Sequence, residues 1–87
     1  MRTKVEELLT DLNDNTQALF AEGFDDAIIG VDIDAERVVY DKDKMIELLV
    51  DEGMEPTDAI EYLEYNVWGA YVGVHTPIYV DTLQHDI

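Results

Sequence analysis

The chain has 87 residues, 47% of them hydrophobic, with 21 acidic side chains against five basic ones and a formal net charge of -16. That length makes one domain with a modest core. The charge repels nucleic-acid phosphates and anionic lipid, because contact would add like charge rather than release counterions, so no direct nucleic-acid binding and no membrane association are expected. The absence of Cys removes disulfide, thiolate-metal and cysteine-nucleophile chemistry. No apolar run approaches a membrane span, and Met1-Arg2-Thr3-Lys4-Val5-Glu6-Glu7 lacks the apolar core of a signal peptide, so the cytoplasm is the expected location. Two readings of the acidity stand: a solvated coat suited to high salt, where screening removes self-repulsion, or an anionic surface meant for a basic partner.

Thr3 followed by Glu6 has the capping-box spacing that satisfies free helix-start amides, so a helix is expected to begin there. Val5, Leu8, Leu9 and Leu12 recur at helical spacing as an apolar stripe, with Glu6, Glu7, Asp11 and Asp14 on the other face. Asn13, Asp14 and Asn15 weaken the middle, since their side chains compete for backbone hydrogen bonds. The helix either runs to Ala21 and stops at Gly23, or breaks near Asn13 and restarts at Thr16. The return of Leu19 to the stripe favours the continuous version.

Ala27 to Ile33 alternates, placing Ile29, Val31 and Ile33 on one face and Ile28, Gly30 and Asp32 on the other, which is a strand pattern. A polar break at Asp34, Ala35 and Glu36 leads into Arg37-Val38-Val39-Tyr40, a β-branched and aromatic run, and the two read as a hairpin. Gly30 either lets a ring lie across the backbone or marks a bulge. Asp41 and Asp43 sit where a helix cap is wanted, and Met45, Ile46, Leu48 and Leu49 follow at helical spacing until Gly53, giving a second helix over 42–52. Asp51 and Glu52 fall at its negative end, where each carboxylate costs about 0.3–1 kcal/mol at low salt. Fold stability does not favour that placement, so it points to salt tolerance or partner binding.

Pro56 suits the first position of a third helix, with Asp58 in its first turn. Ala59, Ile60, Leu63 and Val67 are expected inward and Asp58, Glu61 and Glu64 outward, with Gly69 or Gly73 as the stop. Ile78-Tyr79-Val80, after Pro77, has the makings of a third strand, and the tail from 82 to 87 is expected to fray. The fold class is therefore α+β: N-terminal helix, β-hairpin, two helices and a short C-terminal strand (α-β-β-α-α-β) in a single domain over 1–87.

Catalytic readings are weak. Asp25-Asp26 and Asp32 with Asp34 are close carboxylate pairs, but 21 acids in a chain this short produce such pairs by composition. Asp32, Asp34 and Glu36 alternate like part of a calcium loop without its turn Gly or distal Glu. His75 and His85, with Asp81 or Asp86, form a zinc-compatible ligand set whose spacing matches no compact motif. There is no Ser, no Cys and no phosphate loop. A non-enzymatic protein with no cofactor and no metal is expected.

Tyr62, Tyr65, Trp68 and Tyr71 are spaced by three, which on a helix lines four rings along one drifting stripe. Such a stripe reads first as core. As an exposed surface it would offer the aromatic anchors of a binding hot spot, with Asp58, Glu61 and Glu64 alongside for a basic partner. Asp58, Glu61, Glu64, Tyr62, Tyr65 and Trp68 are thus the candidate partner-binding residues, and oligomerisation, as a homodimer, is a further way to supplement the modest core.

The residues Phe24-Asp25-Asp26-Ala27-Ile28-Ile29-Gly30, Val38-Val39-Tyr40-Asp41, Gly53-Met54, Asp58-Ala59-Ile60-Glu61-Tyr62, Asn66-Val67, Gly69-Ala70-Tyr71-Val72-Gly73 and Thr76-Pro77 carry a resemblance. Over roughly 24–80 the chain resembles small acidic proteins predicted from tailed viruses, prophages and related mobile elements. That resemblance implies a viral or mobile-element setting, in which small acidic proteins act by occupying a host protein's nucleic-acid site. The hairpin turn is short here where relatives carry a longer, variable insert. The expected function is protein binding, as a nucleic-acid-mimic inhibitor of a host or defence protein. The alternative is a halophile-adapted virion or assembly component whose acidity is only a coat.

Overall fold

The computed structural model describes residues 2–12 and 18–82, with the side chains of 9–12 outside the described set. The element order is α1 (Arg2–Leu12), β1 (Ile28–Asp32), β2 (Arg37–Asp41), α2 (Lys42–Asp51), α3 (Pro56–Leu63) and β3 (Ile78–Val80), with a π-helical turn at Glu64–Trp68 continuing α3. This is the α+β order expected from the sequence. The hairpin strands pair antiparallel, and the ladder slips between Ile28 and Gly30, so Gly30 marks a bulge. β3 pairs parallel to β2, through Val39 with Ile78 and Tyr40 with Tyr79, giving the order β1-β2-β3. A parallel neighbour requires a crossover, and α2 with α3 supplies it.

The core lies on the face of β2 that carries Val38 and Tyr40, both fully buried. Ile28, Met45, Leu49, Ala59 and Leu63 close over them, and Val5 and Phe24 join from the N-terminal part. Asp41 caps α2, its side chain accepting the Asp43 N–H at 3.0 Å. Pro56 opens α3 where its missing N–H leaves no bond unmade.

Four expectations are corrected. α1 begins at Arg2, so Thr3 lies inside the helix and does not cap it; Arg2 pairs instead with Glu6 at 3.7 Å. The helix does not continue to Ala21: the described helix ends at Leu12 and Ala18–Ala21 is irregular, while a restart at Thr16 falls outside the described residues. Ala21 N–H donates to the Tyr40 hydroxyl at 2.7 Å, a tertiary bond that a helix through this residue would have taken for itself. Leu8 and Ile60 are not core residues but stand 40% and 37% exposed. Finally, the tyrosine stripe is not core. Ala59 and Leu63 face inward as expected and are fully buried, and half-buried Val67 packs against the same core.

The π turn is one reason the stripe fails. One extra residue in the turn rotates the rest of the helix by about 100°. Trp68 is carried to the α2 side, where its indole N–H donates to Met45 Sδ at 3.4 Å and the Lys42 ammonium lies 4.8 Å from its ring. Gly69 ends the helix, and a Cβ there would sit 2.9 Å from the Glu64 carbonyl oxygen, closer than any side chain tolerates. Residues 69–77 then form an irregular loop in which Tyr71 no longer shares any helical face.

Candidate functional site

Tyr62 and Tyr65 are 45% and 79% exposed on α3 and its continuation, and Asp58, Glu61 and Glu64 are exposed beside them. They line two shallow clefts. One, about 250 Å³, is bounded by Asp58, Glu61, Tyr62, Tyr65 and Asn66. The other, about 600 Å³, is bounded by Thr57, Ile60, Glu61, Glu64 and Tyr65. Five of the six sequence-predicted residues therefore share one face. Trp68 does not, being half-buried against Met45 and Lys42. Asn66 donates from its side-chain amide to the Tyr62 carbonyl at 3.0 Å, supplying a partner at the point where the helix widens into the π turn.

On the other side of Tyr62 and Asn66 lies an apolar groove of about 440 Å³. Buried Phe24 and Pro77 and half-buried Val67 and Tyr79 lie deepest in it, and Leu19, Ala70 and Val72 form its exposed rim. Its wall, residues 19–22, is tied down three ways. Ala21 N–H bonds the Tyr40 hydroxyl, the Arg2 guanidinium stacks 4.2 Å from the Phe20 ring centroid, and Arg2 pairs with Glu22 and Asp25 at 3.4 Å. Tyr40 and Tyr79 pack with ring centroids 5.7 Å apart. Burial pushes the Tyr40 phenol up to about 12, and burial raises Tyr79 as well.

The rim at Ala70 and Val72 is set by the loop. The Thr76 hydroxyl donates to the Gly73 carbonyl at 2.6 Å and accepts the Val72 N–H at 3.0 Å, around Gly73 at φ 122°. Arg37 Nε donates to the Thr76 carbonyl at 2.6 Å, fixing the loop to the hairpin. Tyr71, Val72 and Val74 are held 76%, 61% and 73% exposed in consequence. The turn bounded by Gly69 and Gly73 was legible in the sequence but the groove was missed; its signal was four apolar residues, Ala70, Tyr71, Val72 and Val74, crowded between Gly69 and Thr76, where loops are usually polar.

The other candidates fall to local roles. Asp32 accepts the Ala35 N–H at 3.2 Å in the hairpin turn, and Asp25 pairs with Arg2. His75 Nδ1 lies 3.2 Å from the Ala35 carbonyl and 3.9 Å from Glu36, while His85 lies outside the described residues. Among the described residues no group of three or more potential ligands surrounds a metal position, and no helix is long and apolar enough to cross a membrane. No protein-family profile, curated protein or solved structure matches the chain.

Proposed function

We propose that this is a non-enzymatic binding module, encoded by a virus or related mobile element, that engages a basic surface of a protein partner through the outer face of α3. The carrying observation is that Tyr62 and Tyr65 stand in water among Asp58, Glu61 and Glu64, and among the described residues no Lys or Arg lines either cleft. Neighbouring exposed tyrosines are favoured hot-spot residues, with an apolar ring face and a polar hydroxyl on one side chain. An Arg or Lys laid across such a ring gains from the π face while pairing with a neighbouring carboxylate. Carboxylates elsewhere on the molecule steer a basic partner inward from a distance. Such chemistry suits occupation of a host or defence protein's nucleic-acid site, the action implied by the viral resemblance over 24–80.

The test recovers the partner by affinity capture from the source cell, then measures its affinity by calorimetry at rising salt. Tyr65→Ala and the pair Glu61→Gln with Glu64→Gln are each expected to weaken it about tenfold. Nucleic acid is expected to compete. Affinity indifferent to salt and to both variants refutes the reading.

One observation favours a second reading, a salt-tolerant coat on a small virion or assembly component. Exposed or half-exposed carboxylates occur on all the helices and on the hairpin, including exposed Asp51 and Glu52 at the unfavourable end of α2. Thermal melts separate the two. A midpoint that keeps rising to molar salt supports the coat; a plateau once screening is complete, at a few tenths molar, supports the binding module.

A further inference from the structure

The groove bounded by Leu19 and Val72 shares Tyr62 and Asn66 with the acidic cleft of Asp58 and Glu61. Apolar and anionic surfaces therefore run into each other along one side of α3. Among the described residues no Lys or Arg lines the groove or the clefts. Glu22 at the groove rim shares Arg2 with Glu6 and Asp25, three carboxylates on one cation, so both ends of the groove keep net negative charge. The groove volume, about 440 Å³, lies within the range of pockets that bury a drug-sized ligand, roughly 300–1,000 Å³, enough for a few apolar side chains.

Resting on the reading of α3 as a binding face, we infer that the groove receives the apolar face of a short cationic amphipathic helix of the partner, whose Lys and Arg side chains reach the α3 carboxylates. The charge decides among occupants. A second copy would bring another net charge of -16 against the same carboxylates, which opposes self-association. A purely polar basic surface would leave Leu19, Val72 and the groove floor wet. An amphipathic cationic helix, with Leu at i, i+3, i+4 and i+7, fills both halves. Binding then has two separable parts, one set by salt and one by apolar area.

The experiment uses the intact chain and a fluorescent helical peptide of about four turns built from Leu, Lys and Arg in that pattern, beside a scrambled peptide of the same composition. Anisotropy is expected to show the amphipathic peptide binding about tenfold or more tightly than the scrambled one. Leu19→Ser with Val72→Ser, both at exposed positions and checked for an unchanged thermal melt, should erase that difference and leave the salt slope intact. Glu61→Gln with Glu64→Gln should weaken both peptides and flatten the slope. Equal binding of the two peptides, or a preference untouched by the groove variant, overturns the groove inference; the α3 reading survives if the Gln variant still weakens both. If the Gln variant changes neither, the α3 reading fails. Binding of neither peptide overturns both. Sedimentation of the chain alone showing a dimer that the Ser variant dissociates assigns the groove to a second copy and also overturns the inference.

Discussion

Replacing Tyr40 by Phe removes a single oxygen from a fully buried side chain, and that oxygen is the acceptor for the Ala21 N–H at 2.7 Å. The variant leaves that amide without its partner, at a cost of about 1–3 kcal/mol. For a domain of this size each kcal/mol lowers the melting midpoint by roughly 4–8 °C. The alkaline behaviour gives a second readout. Burial raises the folded phenol to about 12 from its ordinary 10.0, so the folded state holds its proton where the unfolded chain has lost it. Stability from this group is full below pH 10 and declines as pH rises toward 12, by roughly 2–3 kcal/mol in all. Urea unfolding of both proteins, from neutral pH upward, is the assay. Tyr40→Phe should be the weaker protein at neutral pH and should lose less on alkalinisation, keeping only the decline due to Tyr79, which is raised in the same direction. Equal stability at neutral pH would refute the bond from Ala21 to the Tyr40 hydroxyl, and two curves that stay parallel into the alkaline range would refute the burial that raises the phenol.

Leu63→Ala should cost about 2–5 kcal/mol and Ile60→Ala far less, because the first is fully buried and the second 37% exposed; chemical denaturation of the two variants tests which stripe of α3 faces inward. Gly69→Ala should destabilise by about 1–3 kcal/mol, since its methyl would meet the Glu64 carbonyl, and a thermal melt reads it. Thr76→Val keeps the shape but removes the hydroxyl that bridges Gly73 and Val72. It should cost about 1–2 kcal/mol and speed hydrogen exchange at the Val72 amide selectively, and exchange at that amide unchanged from wild type would count against the bridge.

Element order was legible because it is written in local chemistry. Asp41 and Pro56 mark helix starts through the geometry of the first turn, and Gly53 and Gly69 lie just past the helical runs. Alternation in 27–33 and 37–40 gave the hairpin, while Gly30 was open between a ring contact and a bulge until the pairing register showed the bulge. The candidate site was legible in part: Asp58, Glu61 and Glu64 point outward as their spacing implies, and Tyr62 and Tyr65 join them against the first expectation. Two stripes are legible on α3, tyrosines at intervals of three and Ala59, Leu63, Val67 at intervals of four. The aliphatic one takes the core because burying Ala59 and Leu63 strands no polar atom, whereas each tyrosine would need a partner for its hydroxyl.

By itself the sequence determined the class of fold, the number and kind of elements and the excess of negative charge, since caps, turns and period act over a few residues and charge is a sum. Only the tertiary structure decided that β3 joins β2 in parallel, that segment 18–21 gives up helix for a bond to Tyr40, and that the π turn sends Trp68 away from Tyr65. Each of these depends on groups far apart in the chain competing for one place in the core or one hydrogen bond. Local preference does not register that competition until the chain has closed on itself.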